Sequence, residues 1–96
     1  MGLVCTLGAF TPAERERHKA LTTRLMAAVV ERRELNDGFA FHVLSMSDSD
    51  LAEWATLERR CCPFFRIDIQ GQGPGPIWLH LTGPEGVKEF ITAEFS

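Results

Sequence analysis

Phe64-Phe65-Arg66-Ile67-Asp68-Ile69-Gln70-Gly71-Gln72-Gly73-Pro74-Gly75-Pro76-Ile77-Trp78-Leu79-His80-Leu81-Thr82 is the stretch from which the fold can be read. Two apolar-polar alternations flank a loop of Gly and Pro. In the first, Phe65, Ile67 and Ile69 share one face, and Arg66 and Asp68 share the other. In the second, Ile77, Leu79 and Leu81 oppose Trp78 and His80. Period-two alternation broken by turn residues predicts an antiparallel hairpin over 64–70 and 77–82. Each strand has one apolar face, so a layer of helices should cover that side of the sheet.

Upstream, Leu57-Glu58-Arg59-Arg60-Cys61-Cys62-Pro63 closes a helix that the polar cluster Ser47-Asp48-Ser49-Asp50 opens. Pro63 forbids continuation beyond about Cys62. Before it, Gly38 to Ser45 alternates, with Phe39, Phe41 and Val43 on one face and Ala40, His42 and Leu44 on the other. Thr11-Pro12-Ala13-Glu14 is a capping box with proline at the first helical position. A helix should run from there to about Leu35, stopped by Asn36-Asp37-Gly38. Leu21, Leu25, Ala28 and Val29 form its buried stripe, with His18 packing at the N-terminal end of that stripe. Gly83-Pro84-Glu85 starts a last helix with Val87, Phe90 and Ile91 as its apolar stripe. Residues 1–10 are a candidate edge strand. The expected fold is a single α+β domain spanning 1–96, with a small, largely antiparallel sheet of about three strands and three helices in the order α-β-α-β-β-α.

Composition sets limits on function. The chain has 96 residues, 45% apolar and 24% charged, with a net charge of -3. Those proportions suit an ordinary globular domain, and the acidic balance argues against general nucleic-acid binding. No apolar run approaches the ~20 residues that cross a membrane, and the N-terminus lacks the basic region of a signal peptide. The three cysteines are too few, and odd in number, for a secreted disulfide scaffold. Adjacent cysteines pair with each other only through a strained ring. A cytoplasmic setting, with reduced or metal-bound thiols, is the expectation.

On a helical wheel, Leu51, Trp54, Ala55, Leu57, Cys61 and Cys62 fall on one arc. Glu58 falls near its middle, flanked one turn later by both thiols. A carboxylate on a core-facing stripe must be hydrogen-bonded, paired or neutral. The C-terminal end of a helix disfavours a thiolate, whereas Arg59, Arg60 and Arg66 favour one. Cys5 could join Cys61 and Cys62 as a third thiol if the N-terminal segment folds over the end of this helix. Three thiolates would suit a soft ion such as Cu(I), Zn(II) or a heavy metal. The spacing lacks the Cys-x-x-Cys of structural zinc sites.

Three readings follow. The chain is a soft-metal or thiol-chemistry protein with Cys5, Cys61 and Cys62 as ligands and a soft metal ion as candidate cofactor. Alternatively, it is a small enzyme with a cysteine nucleophile at Cys61 or Cys62 and Glu58 as acid or base. In the third reading the cysteines are core, and the chain is an interaction module. Trp78, His42 and His80, on the outer sheet face, are its candidate partner surface, and a homodimer its candidate assembly.

Glu58-Arg59-Arg60-Cys61-Cys62-Pro63-Phe64-Phe65 and Gly75-Pro76-Ile77-Trp78-Leu79-His80-Leu81-Thr82-Gly83-Pro84-Glu85-Gly86 resemble a family of small uncharacterised bacterial proteins. Its members share an acid before a Cys-Cys-Pro-Phe run and a Trp-Leu-x-Leu-Thr-Gly-Pro-Glu-Gly segment. The likeness covers about the last 40 residues. It implies a site made of Cys5, Glu58, Cys61 and Cys62. The residue types are also similar to those of organomercurial lyases, which combine two cysteines with a carboxylate; that is a likeness of constellation alone.

Overall fold

A computed structural model describes residues 7–71 and 75–95. Helix α1 (Pro12–Ala28) is followed by strands β1 (Val29–Leu35) and β2 (Gly38–Val43). Helix α2 (Asp48–Cys61), strands β3 (Arg66–Gln70) and β4 (Ile77–Thr82) and helix α3 (Val87–Glu94) follow. Leu7–Ala9 forms a short 3-10 turn ahead of α1. The class is α+β with three helices, as read from the sequence. Among the described residues the sheet has four strands rather than about three, all antiparallel, in the order β1-β2-β4-β3.

The additional strand comes from the segment read as the end of the first helix. That helix stops at Ala28, and Val29 is already extended at φ -75 and ψ 124. Two β-branched residues, Val29 and Val30, sit at the break, where a helix would restrict their side chains. Beyond them, Glu31-Arg32-Arg33-Glu34 is polar on both faces, so no apolar alternation marks it as a strand. It pairs with β2 from Glu31↔His42 to Leu35↔Gly38, leaving Asn36 and Asp37 as a two-residue hairpin loop. An edge strand lined with charge resists pairing with a further chain. Its inward charges are also held: Arg32 lies over the Phe39 ring at 4.9 Å, and Lys88 of α3 donates to Glu34 at 2.7 Å.

All three helices pack on one side of the sheet. Phe39, Phe41, Val43, Ile67, Ile77, Leu79 and Leu81 face Leu21, Leu25, Leu51, Trp54 and Ile91 in one buried core. The molecule is 19 Å through its thinnest direction, as one helix layer on one sheet requires. Trp54 is fully buried, and its indole N–H donates to Thr22 Oγ1 at 3.1 Å, locking α2 to α1. Among the described residues, no helix is long and apolar enough to cross a membrane.

The Thr11 capping box forms as the sequence predicts. Thr11 Oγ1 accepts from the Glu14 N–H at 3.1 Å, and Glu14 accepts from the Thr11 N–H at 2.9 Å. Glu14 also accepts from Arg60 at 2.7 Å, bridging the start of α1 to the end of α2. The Arg60 guanidinium, with help from the Thr11 N–H, holds the Glu14 carboxyl down at about 2, against an ordinary 4.5. The folded chain therefore binds that proton less tightly than the unfolded chain does. The pair's contribution to stability is complete above 4.5 and is lost as the pH falls from there through 2. Melting temperature should thus fall more steeply over that window in wild type than in Glu14→Gln. Parallel slopes in a pH series of thermal melts would show that the bridge does not hold in solution.

Candidate functional site

Helix α2 places the site. Ser47 caps it by accepting from the Asp50 N–H at 3.1 Å, and Asp48 and Asp50 sit at its positive end. Its buried face is Leu51, Trp54, Ala55, Leu57, Glu58 and Cys61, with Cys62 as the C-cap. That is the arc expected from the wheel, with the carboxylate included. Glu58 is 3% exposed and is the one buried charged side chain among the described residues.

Its partner is His18 of α1. His18 Nε2 and Glu58 Oε2 lie 2.5 Å apart, across forty residues of sequence. The Phe10 ring, 5.2 Å from the imidazole between centroids, packs beside it. From its position in the sequence His18 is expected only to pack at the end of the α1 stripe, and the contact with Glu58 is not foreseen. A signal was present: His18 stands three and seven residues before Leu21 and Leu25, on the same stripe. A histidine and a glutamate on two facing buried stripes are natural partners, because each satisfies the other's polar atoms.

One turn beyond Glu58 lie the two cysteines, 1% and 0% exposed. Their sulfurs are 3.6 Å apart, which is contact and far longer than the ~2.05 Å of a disulfide. Neighbouring cysteines therefore do not bond to each other here, as their short Cα separation led us to expect. Cys62 is nonetheless disulfide-bonded, where a reduced or metal-bound thiol was expected. Its partner sulfur lies outside the described residues, and so does Cys5, so the convergence of three sulfurs is not among the described contacts. Pro63 shapes the terminus. The residue before proline is pushed out of the helical region, and Cys62 sits at φ -124 and ψ 75 while its N–H still bonds to Glu58 O at 2.7 Å.

The arginines are occupied by structure. Arg59 donates to Ile67 O at 2.9 Å and so ties α2 to β3. Arg60 donates to Glu14 and to Ala9 O, and lies over the Phe10 ring at 5.5 Å. It thereby clamps the chain ahead of α1 against the end of α2. Arg66 pairs with Asp68 at 3.4 Å on the surface. Among the described residues no group of three or more His, Cys, Asp and Glu side chains is placed to hold a metal ion. The described residues thus bring together a two-sulfur contact and, one turn earlier, an imidazole-carboxylate pair.

His42, Trp78 and His80 lie together on the sheet's other face. His42 opposes Trp78 in register, with the rings stacked at 4.9 Å and 15°, while His80 opposes Ala40 rather than His42. No family model matches this chain, and no curated protein or solved structure matches it.

Proposed function

We propose that this chain is a thiol-site protein whose Cys61 and Cys62 bind a soft metal ion once the disulfide at Cys62 has been reduced. The observation that carries the reading is the 3.6 Å contact of two buried sulfurs, one turn beyond a carboxylate held by an imidazole. Reduction needs an external dithiol. It supplies two electrons and two protons and leaves as a cyclic disulfide, while Cys62 and its former partner become thiols. Metal binding then exchanges two S–H bonds for two sulfur-metal bonds and releases two protons. Glu58, buried, and His18, half-buried beside it, are the pair that takes up or passes on such protons. Soft thiolates suit ions such as Cu(I). Cys5 is the third sulfur in this reading, and a reducing cytoplasm would keep the site competent. Membership of the family with the Glu-x-x-Cys-Cys-Pro-Phe motif belongs to the same proposal.

The test is a titration with Cu(I) and Hg(II), comparing reduced and oxidised protein. Reduced wild type should bind, and Cys61→Ser and Cys62→Ser should each abolish tight binding. Glu58→Gln should weaken it by about 10–100-fold, as loss of a group that orients a ligand does. Binding that is indifferent to both cysteines would overturn the proposal.

The His18–Glu58 pair also favours a second reading, in which a cysteine is a nucleophile with Glu58 as its acid or base. Here iodoacetamide should modify Cys61 of the reduced protein faster in wild type than in Glu58→Gln. Equal rates would discard this reading and leave the metal proposal intact.

A further inference from the structure

We propose that the helix-free face of the sheet is a homodimer interface. Two copies pack it face to face about a two-fold axis parallel to the strands, and Arg33 of each copy meets Asp68 of the other. The inference is independent of the thiol site, which lies among the helices on the opposite side.

The face is ordered in rows by the strand register. One row runs Arg33, Ala40, His80, Asp68 from the β1 edge to the β3 edge, and the next runs Glu31, His42, Trp78, Gln70. Its centre is aromatic and tightly built. The His42 and Trp78 rings stack at 4.9 Å, and the Arg33 guanidinium lies 4.5 Å above the indole. Ala40 is 4% exposed although no helix among the described residues covers it. His42 Nε2 is buried with no hydrogen-bond partner among the described residues, so the centre of the face already excludes water. Leu44, two residues beyond His42, is exposed. A central Trp covered by an Arg that reaches in from the edge strand, with charged residues around it, is the composition of a protein interface.

The charge pattern selects the occupant. Along β1 Arg33 donates to Glu31 at 2.8 Å, and along β3 Arg66 pairs with Asp68 at 3.4 Å, so each edge carries an ion pair whose Arg33 and Asp68 members remain exposed and lie in one row with opposite sign. An axis parallel to the strands lays the β1 edge of one copy over the β3 edge of the other, within the same rows. Arg33 then faces Asp68 twice, once on each side of the axis, with the arginine-covered stacks of His42 and Trp78 from the two copies between these contacts. A surface complementary to itself in this way is what an isologous two-fold contact requires. Sheet-on-sheet packing offers the geometry, with strands of the two layers about 30° apart.

Sedimentation equilibrium of the whole chain, in reductant to exclude intermolecular disulfides, tests the proposal. Wild type should sediment at twice its 10.8 kDa chain mass. Arg33→Asp and Asp68→Arg should each weaken association by at least about tenfold, and the double variant should recover it. A wild-type monomer at all concentrations, a dimer indifferent to both reversals, or no recovery in the double variant would overturn it. Should a charge reversal fail to fold, the indole N–H resonance of wild-type Trp78 serves instead. It should shift as the protein is diluted through dissociation, and an unmoved resonance would place the interface elsewhere.

Discussion

His18→Ala should lower the free energy of unfolding by about 3 kcal/mol or more, a large loss for a contact between two side chains. Glu58 sits 3% exposed against the core, and His18 Nε2 is its hydrogen-bond partner. Alanine at position 18 deletes that partner and opens a gap beside Phe10. The carboxyl group is left buried without the group that satisfies it. Removing one member of a buried pair costs far more than the pair contributes, because the remaining member keeps its desolvation penalty. The double variant His18→Leu/Glu58→Leu should therefore recover most of the loss, since two apolar side chains of similar volume satisfy each other. His18→Gln, which retains a donor, should fall between. Urea unfolding followed by tryptophan fluorescence, with the redox state held constant, measures all three. A loss below about 0.5 kcal/mol for His18→Ala would mean that Glu58 reaches water in solution, and the paired site would have to be abandoned.

Gly38→Ala should be more damaging than its chemistry suggests, at about 3 kcal/mol or more. Gly38 opens β2 in the middle of the sheet, paired with Leu35 on one side and Thr82 on the other. A Cβ built there would lie 1.9 Å from Leu81 O and 2.8 Å from Thr82 Cα. Both are backbone atoms of β4, so no side chain can swing away to make room. Either the β2–β4 ladder opens or the first hairpin shifts, and the buried face of β2 carries Phe39 and Phe41. Gly8→Ala is the control: among the described residues nothing lies within 4 Å of a Cβ built at that position, and its stability should be unchanged. Equal melting temperatures for Gly38→Ala and wild type would show that the two strands are not this close.

Much of this architecture is legible in the order of residues. The alternations in β2, β3 and β4 fix which faces are apolar, because side chains in a strand repeat every two residues. The stripe of α2 puts Glu58 with Leu57 and Cys61 for the same kind of reason, since a helix repeats every 3.6. Pro63 and the Thr11 box set their boundaries through a missing N–H and a side-chain acceptor, both local causes. Glu31-Arg32-Arg33-Glu34 has no such signature. It reads as well for a helix as for a strand, and the backbone groups of β2, which need partners on both sides, settle it as β1. The pairing of His18 with Glu58 has the same character. Each residue can be placed on a buried stripe from its own neighbours, but which stripe meets which depends on how α1 and α2 cross. The sulfur contact divides along the same line: adjacency brought Cys61 and Cys62 together and disfavoured a bond between them, while their burial comes from the core packed around them. Periodicity determines faces, and the long-range demand that every buried polar group find a partner determines which faces touch.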